Sequence, residues 1–143
     1  MRKTFFLTIL VLVIIGMAIF GYFKAIPGVE NQTGNLPKIE ITPQFFNFGE
    51  IKYGDIVSYK FLVKNLGDDI LEIKKVATSC ACTTAKVDKE EINPNEEAEL
   101  LVTYNTGAMS GPHGKGEQER IIYVKSSDSI NPQVEVMIYA NVK

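Results

Sequence analysis

The 143-residue sequence has no tryptophan, one histidine (His113) and only two cysteines, Cys80 and Cys82. Each scarcity closes a class of function. Two cysteines and one histidine cannot supply the four ligands of a structural zinc site within one chain. A lone imidazole with no nucleophile motif around it gives hydrolytic catalysis nothing to build on. Carboxylates are scattered along the chain, so no pair of them identifies an acid–base site. A basic excess is also missing. Fifteen Lys and Arg stand against 17 Asp and Glu, for a net charge of −2, the wrong balance for nucleic acid. The length fits about one domain. No amphipathic helical pattern, internal repeat or low-complexity tract occurs.

One long hydrophobic run is present. Phe5 to Phe23 is 19 residues without a charge, interrupted only by Thr8, Gly16 and Gly21. As a helix it would rise about 28 Å, close to the thickness of a bilayer's hydrocarbon core. Arg2 and Lys3 precede it and Lys24 follows, so the positive-inside rule keeps the N-terminus in the cytoplasm and exports the remainder. The run is longer than the core of a cleaved signal peptide. The best small-x-small cleavage site, Gly16-Met17-Ala18, lies inside it, so a retained anchor is favoured over cleavage. No cysteine follows closely enough for a lipid anchor. Residues 1–24 therefore read as a signal anchor of a single-pass inner-membrane protein. Residues 25–37, with Pro27, Gly28, Gly34 and Pro37, read as a tether. Asn31-Gln32-Thr33 within it matches a glycosylation acceptor, a weak three-residue pattern.

From residue 38 to 143 the period becomes two. Val57, Tyr59, Phe61 and Val63 alternate with more polar neighbours, as do Ala98, Leu100, Val102 and Tyr104, and then Val134, Val136, Ile138, Ala140 and Val142. Alternation buries one face of a strand and wets the other. Shorter runs at 39–42, 45–51, 70–77, 83–87 and 120–125 complete the set. Turn-forming stretches separate them, such as Tyr53-Gly54-Asp55, Asn65 to Asp69, and Asn93-Pro94-Asn95-Glu96. The pattern predicts an all-β domain: an antiparallel immunoglobulin-like β-sandwich of about seven or eight strands behind one N-terminal transmembrane helix. Lacking tryptophan and widely spaced cysteines, it is not an antibody-type domain. Its core has to use Phe46, Phe48, Phe61 and Tyr104. The exported part holds 12 Lys and Arg against 16 acids. The acids at Glu90, Glu91, Glu96, Glu97 and Glu99 read as a solvated turn, since they lack the Asp-x-Asp-x-Asp spacing of a calcium loop.

Chemistry, if any, belongs to Ser79-Cys80-Ala81-Cys82-Thr83-Thr84. In a strand, positions i and i+2 share a face, so the two thiols would lie side by side. They fit buried packing. They also fit a disulfide, although an extended strand sets the two Cα atoms about 6.5–7 Å apart, at the far edge of what a disulfide spans. A third reading is a soft-metal site for copper or zinc, completed by Met109 or His113. A partner thiol or a lipid-like modification is a fourth. Met109-Ser110-Gly111-Pro112-His113-Gly114-Lys115-Gly116 is a glycine-rich connection that could fold over the pair. It lacks the Gly-Lys-Ser/Thr ending of a phosphate loop.

A resemblance rests on several motifs in order: Phe46-Asn47-Phe48-Gly49-Glu50-Ile51, Gly54, Tyr59 to Gly67 with its Asn65-Leu66-Gly67 end, Ser79 to Thr84, and Ile92-Asn93-Pro94-Asn95-Glu96. Across roughly Ile39 to Val142 the chain resembles a bacterial family of exported domains of unknown function that carry Ser-Cys-Gly-Cys-Thr. Those domains look like the immunoglobulin-like modules of the major sperm protein and ASH/Hydin superfamily. The resemblance implies the fold and an envelope location, with no established reaction. Ala81 stands where that family usually has glycine. If that glycine serves a tight turn at positive φ, alanine is poorly suited to replace it. The expectation is a non-enzymatic, membrane-anchored module, without cofactor, that binds other envelope proteins on the periplasmic or extracellular side. The rival is thiol-redox or soft-metal binding through Cys80 and Cys82. A third reading is an envelope protein with a purely structural role.

Overall fold

β-Branched and aromatic residues fit a pleated, half-buried surface, and the alternating runs of the sequence form strands in the computed structural model. It describes residues 35–109 and 114–143, together with Ile15 and Met17. Nine strands follow in order: β1 (Ile39–Thr42), β2 (Phe45–Ile51), β3 (Ile56–Asn65), β4 (Leu71–Thr78), β5 (Thr83–Val87), β6 (Glu91–Ile92), β7 (Glu97–Asn105), β8 (Gly116–Ser126) and β9 (Gln133–Val142). They make two sheets, one of order β1-β3-β7-β5 and one of order β2-β9-β8-β4-β6.

The core is the set of inward faces that period two predicts. Ala98, Leu100, Val102 and Tyr104 of β7 are buried, as are Val136, Ile138, Ala140 and Val142 of β9. Phe61 and Tyr104 are fully buried aromatics of this core. Phe46 and Phe48 are only half-buried at its margin, where Phe46 stacks on Tyr59 with ring centroids 3.7 Å apart. The glutamates at 90, 91, 96, 97 and 99 are exposed. Three of them pair with lysines on the surface: Lys60–Glu99, Lys64–Glu97 and Lys89–Glu96.

Three expectations need correction. The sandwich has a ninth strand, β6, whose two residues are too few to show a period. It is also not wholly antiparallel, because β2 runs parallel to β9, with Phe46 opposite Ile138. Alternation reports which face a strand buries and is blind to strand direction. The link Pro43-Gln44 passes the chain from one sheet to the other, where β2 takes the edge beside β9. Third, Ser79 to Cys82 is a turn and not strand. The run Phe5–Phe23 read as an anchor, and the tether up to Gly34, lie outside the described residues apart from Ile15 and Met17. Among the described residues no helix is long and apolar enough to cross a membrane.

Candidate functional site

Between Thr78 at the end of β4 and Thr83 at the start of β5, four residues carry the chain from the five-stranded sheet to the four-stranded one. Local hydrogen bonds close that crossing tightly. Thr83 N–H donates to the Cys80 carbonyl at 3.2 Å, and Asn105 N–H of β7 donates to the Cys82 carbonyl at 2.9 Å. Ser79 is paired twice with Ile121 of β8: its N–H donates to the Ile121 carbonyl at 2.9 Å, and its hydroxyl accepts from Ile121 N–H at 3.0 Å. The Thr78 hydroxyl lies 3.0 Å from the Cys80 carbonyl and 2.9 Å from that of Thr83. Its single proton serves one of them at a time.

The turn brings the Cys80 and Cys82 Cα atoms to 5.2 Å, and the two sulfurs are joined in a disulfide. Turning instead of extending removes the distance obstacle that a strand would impose. Ala81 does so without positive φ; Asn95 is the non-glycine residue that adopts it among the described residues. The glycine expected to be needed at 81 is therefore dispensable for this turn. Cys82 is buried in the core, whereas Cys80 is half-buried and packs against it. The Thr83 hydroxyl lies 3.5 Å from Cys80 Sγ and 3.7 Å from Cys82 Sγ. Since bridged sulfurs carry no proton, the hydroxyl is the donor.

The side chain that gives this end of the sandwich its charge is Arg120. On β8 it shares a face with Ile122, which is fully buried, so period two aims it inward. Its Nε lies 3.1 Å from Cys82 Sγ. Nη1 donates to the Glu119 carbonyl at 2.7 Å, Nη2 donates to Gln118 Oε1 and lies 3.7 Å from Met109 Sδ. The guanidinium carbon sits 5.4 Å from the centroid of the buried Tyr104 ring. No carboxylate pairs with Arg120 among the described residues. The result is a permanent cation held against sulfur, a neutral amide and an aromatic face.

The sequence-predicted residues are thus distributed unequally. Cys80 and Cys82 are bonded, Met109 approaches them through Arg120, and His113 lies outside the described residues. As joined, the sulfurs offer no thiolate pair to a soft metal, and between Cys82 and Met109 stands a guanidinium. The described residues hold no cluster of three or more His, Cys, Asp or Glu fit for a metal. Sequence reasoning missed Arg120. The one signal available was its alternation with Ile122 and Val124, which puts a charge on the core face of β8.

The fold recurs in solved structures. A protein of unknown function from Porphyromonas gingivalis W83 matches with a TM-score of 0.66 and 20% identity, over 73% of this chain and 46% of that one. This chain thus spans about half that protein's length. The Vibrio cholerae VesB protease matches with a TM-score of 0.56 and 17% identity, over 75% of this chain and 32% of the protease. The ASH/PapD-like domain 7 of human CEP192 matches with a TM-score of 0.55 and 11% identity, over 76% of this chain and 87% of the domain. Identities this low speak for the fold alone, and a fold hosts many functions. No curated protein matches the chain. The family DUF1573, described as a protein of unknown function, matches residues 39–142, from the first residue of β1 to the last of β9; the chain belongs to the DUF1573 family.

Proposed function

We propose that this chain is a membrane-anchored, exported immunoglobulin-like module that binds protein partners in the cell envelope. The observation that carries the reading is an open side of the sandwich. β5 is the edge of its sheet, and β4 has a neighbour on one side only beyond Ile73, where its short partner β6 ends. Both free edges border one groove of about 160 Å³, lined by Ile73, Lys74, Lys75 and Val76 on one side, by Ala85, Lys86 and Val87 on the other, and by Glu90. Unpaired edges accept an extended segment as an added strand. Three exposed lysines there, against the single Glu90, guard the edges against pairing with further copies of the chain and favour an acidic segment. The apolar run at 5–23, with Arg2 and Lys3 ahead of it, supports anchoring and export. A disulfide is at home in an oxidising compartment outside the cytoplasm.

A photo-crosslinker placed at Lys86 in the full chain, in intact cells, should trap a discrete envelope protein. Lys74→Glu with Lys75→Glu should then cut the adduct at least about fivefold, as a lost electrostatic match does. Undiminished trapping by the charge-reversed chain, or no adduct from Lys86, counts against the edge as the binding surface. Alkaline phosphatase fused after Lys143 should be active; an inactive fusion overturns export.

A further inference from the structure

We infer that the Cys80–Cys82 disulfide is a thiol–disulfide exchange site, with a dithiol of a partner protein as its substrate class. Cys80 is the sulfur attacked, Cys82 the sulfur that leaves, and Arg120 the residue that stabilises the leaving thiolate. This inference is independent of strand addition at the open edge.

Three observations carry it. First, the bridge does little as a staple. It spans a sequence separation of 2, and a loop that short removes little entropy from the unfolded chain. Its flanks are held without it, by the paired bonds of Ser79 with Ile121, by Asn105 N–H on the Cys82 carbonyl, and by the pairing of β5 with β7. Second, the two sulfurs are unequal. Cys82 is only 4% exposed, whereas Cys80 reaches solvent. An incoming thiolate attacks along the S–S axis, so access from solvent selects Cys80 and makes Cys82 the leaving group. Third, the leaving sulfur has a cation waiting. Arg120 Nε is 3.1 Å from Cys82 Sγ and no described carboxylate neutralises it. Arginine cannot give up its charge, and a neighbouring cation lowers a thiol's pKa. A leaving thiol of low pKa departs faster. The Thr83 hydroxyl, within reach of both sulfurs, is a second donor.

The step balances. A partner thiolate attacks Cys80 Sγ and forms a mixed disulfide. The Cys80–Cys82 bond breaks, and its electron pair leaves on Cys82 Sγ beside Arg120. The partner's second thiol loses its proton and attacks its own sulfur in the mixed disulfide. That forms the partner's disulfide and releases Cys80. Two electrons pass from the partner dithiol to this chain. The partner's two protons end on Cys80 and, while Cys82 stays a thiolate, in solvent.

The test uses the full chain in detergent micelles, with dithiothreitol as the dithiol. At pH 7 and without denaturant, dithiothreitol should reduce the native chain within minutes. In the reduced chain one thiolate should titrate, by its absorbance near 240 nm, clearly below the ordinary cysteine value of about 8.5. Arg120→Gln should return that titration to the ordinary range and slow reduction about tenfold, the effect of a leaving-group shift of about two pH units at a Brønsted slope near 0.5. Arg120→Lys, which keeps the charge, should restore much of both. In Cys82→Ser, a chromogenic mixed disulfide should form on Cys80 in the folded protein. Reduction of the wild-type chain only after unfolding, or two thiols that both titrate near 8.5, overturns the proposal. Neither of those measurements depends on a variant folding.

Discussion

Two buried polar side chains fix where the first strand sits. Asn65 is fully buried with its amide saturated. Its Nδ2 donates to the carbonyls of Asp69 and Ile92, and its Oδ1 accepts from Gly67 N–H and Lys38 N–H. Asp128, also buried, accepts N–H bonds from Ile39 at 3.0 Å, Ile130 at 2.8 Å and Asn131 at 3.0 Å. Burial pushes its carboxyl up, but the N–H groups of Asn131, Ile39 and Ile130, with Lys38 nearby, outweigh burial and hold it below the ordinary value of 3.8. A lowered carboxylate stabilises the fold fully above its unfolded pKa, and that contribution is withdrawn as pH falls through the lower folded value. Asp128→Asn should therefore cost about 1–2 kcal/mol at neutral pH and flatten the loss of stability below about pH 4. Denaturant unfolding of both proteins at pH 7 and pH 3 checks this; equal losses at the two values would refute it. Neither the burial of Asn65 and Asp128 nor the half-buried place of Arg120 beside Cys82 was legible in the sequence. The first two sit in turn-forming stretches, where polar residues ordinarily face water. Which loops converge on them is a tertiary fact.

At the scale of elements much more was legible. The runs 39–42, 45–51 and 83–87 coincide with β1, β2 and β5. β8 starts at Gly116, earlier than the expected Arg120, because Glu117, Gln118, Glu119 and Arg120 are all polar and show no alternation. The Cys80 turn was hidden for a related reason, since flanking threonines favour strands and nothing in six residues marks a reversal. Two glycines show how a turn and a bulge use different physics. Gly49 lies at φ +70° where β2 slips one residue against β9, and a Cβ there would meet nothing within 4 Å. Gly67 needs no positive φ. A Cβ on it would come within 2.6 Å of Lys38 N and 2.8 Å of Pro37 C. That backbone is tied by Leu66 N–H to the Lys38 carbonyl and Asp68 N–H to the Leu36 carbonyl. Gly49→Ala should cost about 1 kcal/mol through backbone strain alone. Gly67→Ala should cost about 2–3 kcal/mol through overlap. Urea unfolding ranks them, and the reverse order would contradict this account.

For the whole molecule, stability comes from the two inward faces meeting, with the disulfide at one end contributing little. Reduction should lower stability by only about 1.5 kcal/mol, the scale the loop-entropy relation gives for so short a loop. Thermal unfolding with and without reductant should then differ by less than about 10 °C. A collapse of the fold on reduction would show that the bridge is a structural clamp after all. The sandwich architecture was readable from the sequence because burial on one face repeats every second residue through most of the domain. The meeting of β4, β5, β7 and β8 around Cys82 was not, since it depends on which strands become neighbours.

The missing tryptophan has a practical side. Tyrosine is then the chain's only strong ultraviolet emitter. One of the six, Tyr104, is buried in register with Thr83, next to Cys82 in sequence, with the Arg120 guanidinium at its ring. Disulfides quench excited phenol rings at close range and thiols do so far less. The chain should thus carry a built-in optical gauge: its tyrosine fluorescence is expected to brighten as the bridge opens, and emission unchanged by reductant would count against it.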